Sequence, residues 1–106
     1  MAESFKQALL NVTTSEQTLY TAPASTTTIV ISLQAANVSG TDTTISAYVG
    51  DEGSTAYYIA KDITIPANSA VNLIAGKLIL DTSDVIKVVG GHDNYLHLNG
   101  AILEIT

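Results

Sequence analysis

Hydrophobic positions recur with period two along nearly the whole chain, the spacing that half-buried β-strands require. Thr27 to Ala36 shows it most clearly. Ile29, Ile31, Leu33 and Ala35 fall on one face, with Thr28, Ser32 and Gln34 on the other. This predicts a central strand whose outward side also carries Val30, an apolar residue for an oligomer contact or a neighbouring loop to cover. Before it, Phe5 to Val12 and Gln17 to Ala22 read as two short strands around Thr13-Thr14-Ser15. Ala22-Pro23-Ala24-Ser25 closes the second, because proline cannot donate to a ladder. After the central strand, Asn37 to Asp42 reads as a hairpin loop in which Gly40 supplies a positive φ. Thr43 to Val49, with Ile45, Ala47 and Val49 on one side, then pairs with the central strand.

The turn Gly50 to Ser54 leads into a strand from Thr55 to Ile65, where Tyr57, Ile59, Ile63 and Ile65 share a parity that Lys61 interrupts. A lysine there fits a bulge near Ala60 to Asp62 or an edge strand whose lysine stem snorkels, and the edge reading is preferred. Pro66 to Ser69 turns the chain into three short apolar runs, Ala70 to Leu73, Lys77 to Leu80 and Val85 to Val89. From Asn94 onward the phase changes: Leu96 and Leu98 are even, whereas Ala101, Leu103 and Ile105 are odd. A bulge at Asn99-Gly100 would return both sets to the core, and without one half of these residues face outward.

Strands recurring every roughly eight to twelve residues, with no sustained helical period, predict an all-β antiparallel β-sandwich, jelly-roll or Ig-like, over residues 1–106 as one domain. Ser4 to Leu10 alone carries a helical spacing, through Phe5 and Leu9. Residues 1–10 therefore read as a short N-terminal arm by which one subunit could hold another.

Composition narrows the function classes. With 106 residues, 46% of them hydrophobic, the chain can bury a core without cross-links, and having no cysteine it offers no disulfide, thiolate metal site or thiol nucleophile. Four lysines, no arginine and ten Asp and Glu give a formal charge of −6, which argues against nucleic acid as a direct partner. The first ten residues show no basic, apolar signal pattern and no apolar run approaches the ~20 residues of a membrane helix. The expectation is a protein made and left in the cytoplasm, with no membrane partner.

Candidate chemistry is sparse. Gly90-Gly91-His92-Asp93-Asn94 and His97 invite a metal reading, but two histidines five apart on a regular strand face opposite ways, so a glycine-rich turn with a solvated histidine is the expectation. His97 alternates with Tyr95 and reads as a surface or interface pair. Asp81 to Asp84 and Asp51-Glu52 lack the spacing of a calcium loop, and no Gly-x-Ser-x-Gly turn is present. No cofactor is expected and an enzyme is disfavoured. A hydrolase would have to rest on a residue such as Asp81 or Asp84. Tyr20, Tyr48, Tyr57, Tyr58 and Tyr95 could stack on sugars or seal an oligomer contact.

The run Leu19 to Val38 (LYTAPASTTTIVISLQAANV), followed by Ile63 to Leu73 (ITIPANSAVNL), Gly76 to Leu80 (GKLIL) and Ile102 to Ile105, resembles small β-sandwich virion proteins of tailed bacteriophages. In these a strand ending in a Tyr-Thr-Ala-Pro turn, here Tyr20 to Pro23, precedes an apolar central strand. A Leu-Asp-x-x-Asp-Val-Ile step, here Leu80 to Ile86, leads into the final hairpin. The resemblance implies a structural protein of the particle, first a capsid decoration or cement protein, alternatively a tail- or neck-associated one; a host-glycan-binding module using Tyr57, Tyr58 or Tyr95 is the other alternative, and it rests on the tyrosines. The resemblance further implies synthesis in the host cytoplasm, residence in the virion, the major capsid protein or another virion protein as partner, and a homo-oligomer, trimer first. Phe5, Leu9, Val30, Tyr48 and Tyr58 are the interface candidates, the first two on the arm and the others as outward apolar residues that assembly would bury.

Overall fold

The computed structural model describes residues 3–50, 56–74 and 76–106. They form nine strands: β1 (Glu3–Asn11), β2 (Gln17–Thr21), β3 (Thr27–Asn37), β4 (Thr43–Gly50), β5 (Ala56–Ile65), β6 (Ala70–Asn72), β7 (Leu78–Leu80), β8 (Val85–Gly90) and β9 (Leu96–Ile105). All pair antiparallel in two sheets, one in the order β1-β9-β3-β6 with β7 also beside β3, the other in the order β2-β8-β4-β5. β6 lies against Gln34 to Ala36 and β7 against Thr28 to Val30, so the two occupy one edge position in two pieces, ending at Asn72 and resuming at Leu78. Counted that way, eight strand positions form two four-stranded sheets, and the chain crosses between them at every connection but β4–β5, which is the jelly-roll topology. The sandwich expectation holds and resolves to the jelly roll. Among the described residues no helix is long and apolar enough to cross a membrane.

Several local expectations change, and each for a physical reason. β3 shifts register against β9 between Val30 and Ser32, leaving Ile31 as a bulged residue. Thr28 and Val30 face the core before the bulge, and Leu33, Ala35 and Asn37 after it. Val30 is therefore 1% exposed and no interface residue, while Ile31 at 36% takes the outward place. β9 carries no bulge at Gly100, where no positive φ occurs. Leu96, Leu98, Gly100, Ile102 and Glu104 point inward without interruption, and Ala101, Leu103 and Ile105 form the outer face. β4 pairs with β5 and β8 rather than with β3, because Asn37 to Asp42 carries the chain from one sheet to the other and is not a hairpin. Its corner is tied by the buried Asn37 side chain, which donates to the carbonyls of Thr41 (2.8 Å) and Ile65 (3.0 Å) and accepts from Ser39. Gly40 has no positive φ. From Glu3 onward the expected arm, residues 1–10, is the edge strand β1, hydrogen-bonded to β9 from Glu3 to Asn11 and neither helical nor projecting from the sandwich. β5 is both an edge strand and bulged: Lys61 and Asp62 stand opposite Ser46, with Asp62 at φ 50° and its N–H donating to Ser46 Oγ at 2.9 Å. The expected Gly50 to Ser54 turn lies, beyond Gly50, outside the described residues.

The core is aliphatic. Leu33, Ile45, Ile65, Leu80, Ile86, Leu96 and Leu98 are fully buried between the sheets, each contributing roughly 1.5–3 kcal/mol of burial free energy. At one end β8 passes so close to Val12 that a Cβ on Gly90 would lie 2.7 Å from Val12 Cγ1, so this position requires glycine. The β3 bulge separates two residues that period two treats alike. Leu33→Ala should cost about 2–5 kcal/mol and Ile31→Ala less than about 1 kcal/mol in urea denaturation; equal costs would contradict the bulge.

Candidate interaction surfaces

Between the sheets, at the end where β9 finishes, the core turns polar. Glu104 points inward from β9 and is 7% exposed, opposite Ser4 of β1 and Thr28 of β3. Tyr20, reaching across from β2, donates its hydroxyl to Glu104 Oε2. With that proton committed, the Thr28 hydroxyl donates to Tyr20 Oη at 3.3 Å. Lys6 closes the site from the edge strand, Nζ to Glu104 Oε1 at 2.9 Å. The buried carboxylate is thus paired and hydrogen-bonded, the condition under which burying a charge is tolerable. Sequence reasoning missed this group, although the even parity of Glu104 with Leu96, Leu98 and Ile102 marks it as a core-facing charge. The cluster joins both sheets and the edge strand.

The outer face of the first sheet carries an exposed apolar row. Ladder register sets Phe5, Leu103, Ile29 and Ile79 side by side across four strands. Partner residues in a ladder point the same way, so the four form one stripe. Phe5 is 77% and Ile79 66% exposed, at its two ends. Ile105, Ala101 and Ile31 flank it, with Leu9 at 61% two pleats further along β1, beyond Gln7. Phe5 and Leu9, expected at an interface, lie here; Val30 does not.

The outer face of the second sheet is polar and internally paired. Tyr48 opposes Tyr58 on one side and Lys87 on the other. The Tyr48 and Tyr58 rings pack at 5.3 Å, and Lys61 Nζ sits 4.9 Å from the Tyr58 centroid. Tyr48 donates its hydroxyl to Glu16, which also accepts from Lys87 Nζ at 3.2 Å. Tyr48 is pushed up to about 12 by that hydrogen bond first, and Glu16 is correspondingly lowered. Tyr48 and Tyr58, two further interface candidates, are therefore joined to each other. Beyond them Tyr57 and Tyr58 border an open groove of about 650 Å³ between β5 and the β6–β7 edge, floored by Val49, Ile59, Leu73 and Leu78.

The remaining candidates are structural. His92 Nδ1 lies 2.8 Å from the buried Thr43 hydroxyl, and its ring stacks on Tyr95 with centroids 4.6 Å apart. Tyr95 thus pairs with His92 rather than with His97, which sits on the outer face of β9. Asp81 and Asp84 close one tight turn, the Asp84 N–H on Asp81 O at 3.0 Å and the Asp81 N–H on Asp84 Oδ2 at 2.9 Å. Among the described residues no three His, Asp or Glu side chains gather as a metal site.

No family model and no curated protein sequence matches the chain. Solved structures do. A chain of the acid-stable capsid of Helicobacter pylori bacteriophage KHP30 superposes with a TM-score of 0.58 at 14% identity, over 100% of this chain and 89% of that one. A chain of the Bacillus endospore appendages, disulfide-linked pili, gives 0.54 at 13%, over 97% and 84%. One from infectious bursal disease virus gives 0.53 at 13%, over 99% of this chain and 33% of that chain. The likeness is one of fold.

The polar cluster makes stability depend on pH at both ends. Glu104 is held below the ordinary carboxylate range, mainly by the Tyr20 hydrogen bond and then by Lys6, against burial. Its contribution is full above that range and is lost as pH falls through it. Tyr20 is pushed up to about 12 by burial and by Glu104, so the folded state keeps a proton that the unfolded chain releases near pH 10, and stability falls as pH rises from about 10 to 12. Tyr20→Phe should cost about 1–3 kcal/mol at neutral pH, by leaving Glu104 short of a buried donor, and should shrink the alkaline decline to the part due to Tyr48. Glu104→Gln should flatten the acid limb; urea midpoints followed against pH check both.

Proposed function

We propose that this chain is a non-enzymatic structural protein of a phage virion, a capsid decoration subunit that stabilises the shell through contacts with the major capsid protein and with copies of itself. The observation that carries this reading is the outer face of the first sheet, where Phe5, Leu103, Ile29 and Ile79 leave in water an apolar stripe of the kind that marks a protein contact. The described polar clusters support the same view, since Glu104 with Tyr20 and Lys6, Tyr48 with Glu16 and Lys87, and the Asn37 corner are each occupied in holding strands or turns together. Chains of similar fold occur in a phage capsid and in a viral particle, which supports a structural use of a jelly roll. Synthesis in the host cytoplasm and residence in the particle accompany this reading.

A second reading, a tail- or neck-associated module that binds host glycans, is favoured by Tyr57 and Tyr58 beside the open groove, 61% and 51% exposed. Mass spectrometry of density-gradient-purified particles, from the strain whose genome encodes the chain, tests the proposal. The expected result is the chain in fixed stoichiometry with the shell subunit. Particles free of it would contradict a virion role, and its recovery only with detached tails would favour the second reading.

A further inference from the structure

We propose that the outer face of the first sheet packs against the same face of a second copy, giving a two-fold dimer. This deepens the structural-protein reading, and rests on it for the use to which the contact is put; the contact itself is argued from the surface.

Charge selects the partner. The chain carries ten acidic side chains and a formal charge of −6, so two copies repel over most of their surfaces. Of the described acidic residues, Glu3 alone lies in the outward rows of this sheet, at its corner. Glu104 points inward, and Glu16, Asp42, Asp62, Asp81, Asp84 and Asp93 lie on turns or on the other sheet. Along β1, β9 and β3 the outward neighbours of the apolar stripe are uncharged apart from Glu3: Gln7 and Ser32 opposite Ala101, Leu9 and Gln34 opposite Asn99, Asn11 and Ala36 opposite His97; the exposed Lys77 and Asp81, of opposite sign, stand to either side of Ile79 at the β7 end. An acidic protein can meet its own copy with least repulsion through this face, because charges beyond about 8 Å are screened at physiological salt.

Area is sufficient. Three strands of about ten residues and the interrupted β6–β7 edge, spaced about 4.8 Å apart at about 3.3 Å per residue, give a face of roughly 500–600 Å² per copy. Two copies then bury roughly 1,000–1,200 Å², at the lower end of specific interfaces. Sheet-on-sheet packing at about 10 Å is the arrangement such a face allows, with an open depression of about 430 Å³ beside Leu9, Asn11, His97 and Asn99. The second sheet's outer face offers no comparable patch, because Lys61, Tyr58, Tyr48, Glu16 and Lys87 are already linked to one another. A self-complementary patch meeting itself closes at two copies, whereas the trimer implied by family resemblance needs two different patches.

Light scattering on the purified full chain, over about 1–200 μM, tests this. The expected result is a monomer–dimer equilibrium that holds or tightens as NaCl rises from low to high concentration, since the contact is apolar. Phe5→Asp and Ile79→Asp, at opposite ends of the stripe and both well exposed, should each weaken dimerisation roughly 30-fold or more, with far-UV circular dichroism unchanged. Thr18→Asp, on the other sheet, should not. A monomer at every concentration, a three-copy mass, a dimer dissolved by salt, or a dimer insensitive to both stripe variants would overturn the proposal. A monomer found on particles would refute the dimer and keep the virion reading, and a dimer absent from particles would do the reverse.

Discussion

The pairing of β3 with β9 is the interaction on which the rest of this sandwich depends. These two strands form the centre of the first sheet, carry β1, β6 and β7 at their flanks, and supply Val30, Leu33, Ala35, Leu96, Leu98 and Ile102 to the buried interior. A single bulged residue, Ile31, sets the phase of the pair. Because side chains alternate, one extra residue in β3 exchanges the two faces of everything before it relative to everything after it. Val30 and Leu33 are both buried for that reason, and Ile29 is free to join Phe5, Leu103 and Ile79 outside.

The two sheets are joined at their polar end by a different kind of contact. Glu104 is the shared acceptor for Tyr20 of the second sheet and Lys6 of the edge strand. Their directed contacts tie β2 and β1 to β9 at this end. The consequence for function is an asymmetric particle. One broad face carries an exposed apolar stripe among mostly uncharged residues, and the other is a paired network of tyrosine, lysine and glutamate.

Much of the strand pattern was legible in the sequence, because alternation and the two proline turns mark where strands run and stop. What misled was the assumption that apolar residues of odd parity in β9 belong to the core. Ala101, Leu103 and Ile105 repeat faithfully, and a bulge at Gly100 was the way to bury them; the structure leaves them on an outer apolar face instead. In β3 the consecutive Ile29, Val30 and Ile31 satisfy either phase, so periodicity could not locate the real bulge. Pairing partners were also beyond local reading, since in a jelly roll β3 meets β9 and not its neighbour β4. Of the surface candidates, Phe5 and Leu9 fell on the exposed apolar face because both are large and share a parity on an edge strand. Val30 failed with the phase of β3, and the partners of Tyr48, distant in sequence, carried no local signal.

The most direct measurement exploits the absence of cysteine. A single thiol placed by Ser32→Cys reports the outer face of the first sheet, and one placed by Thr18→Cys reports that of the second. Their maleimide labelling rates are compared between dilute and concentrated protein. Protection of the Ser32→Cys thiol on concentration, with the Thr18→Cys thiol labelled at its dilute rate, is the predicted result. Equal labelling of the Ser32→Cys thiol at both concentrations, or protection of the Thr18→Cys thiol instead, would contradict the account.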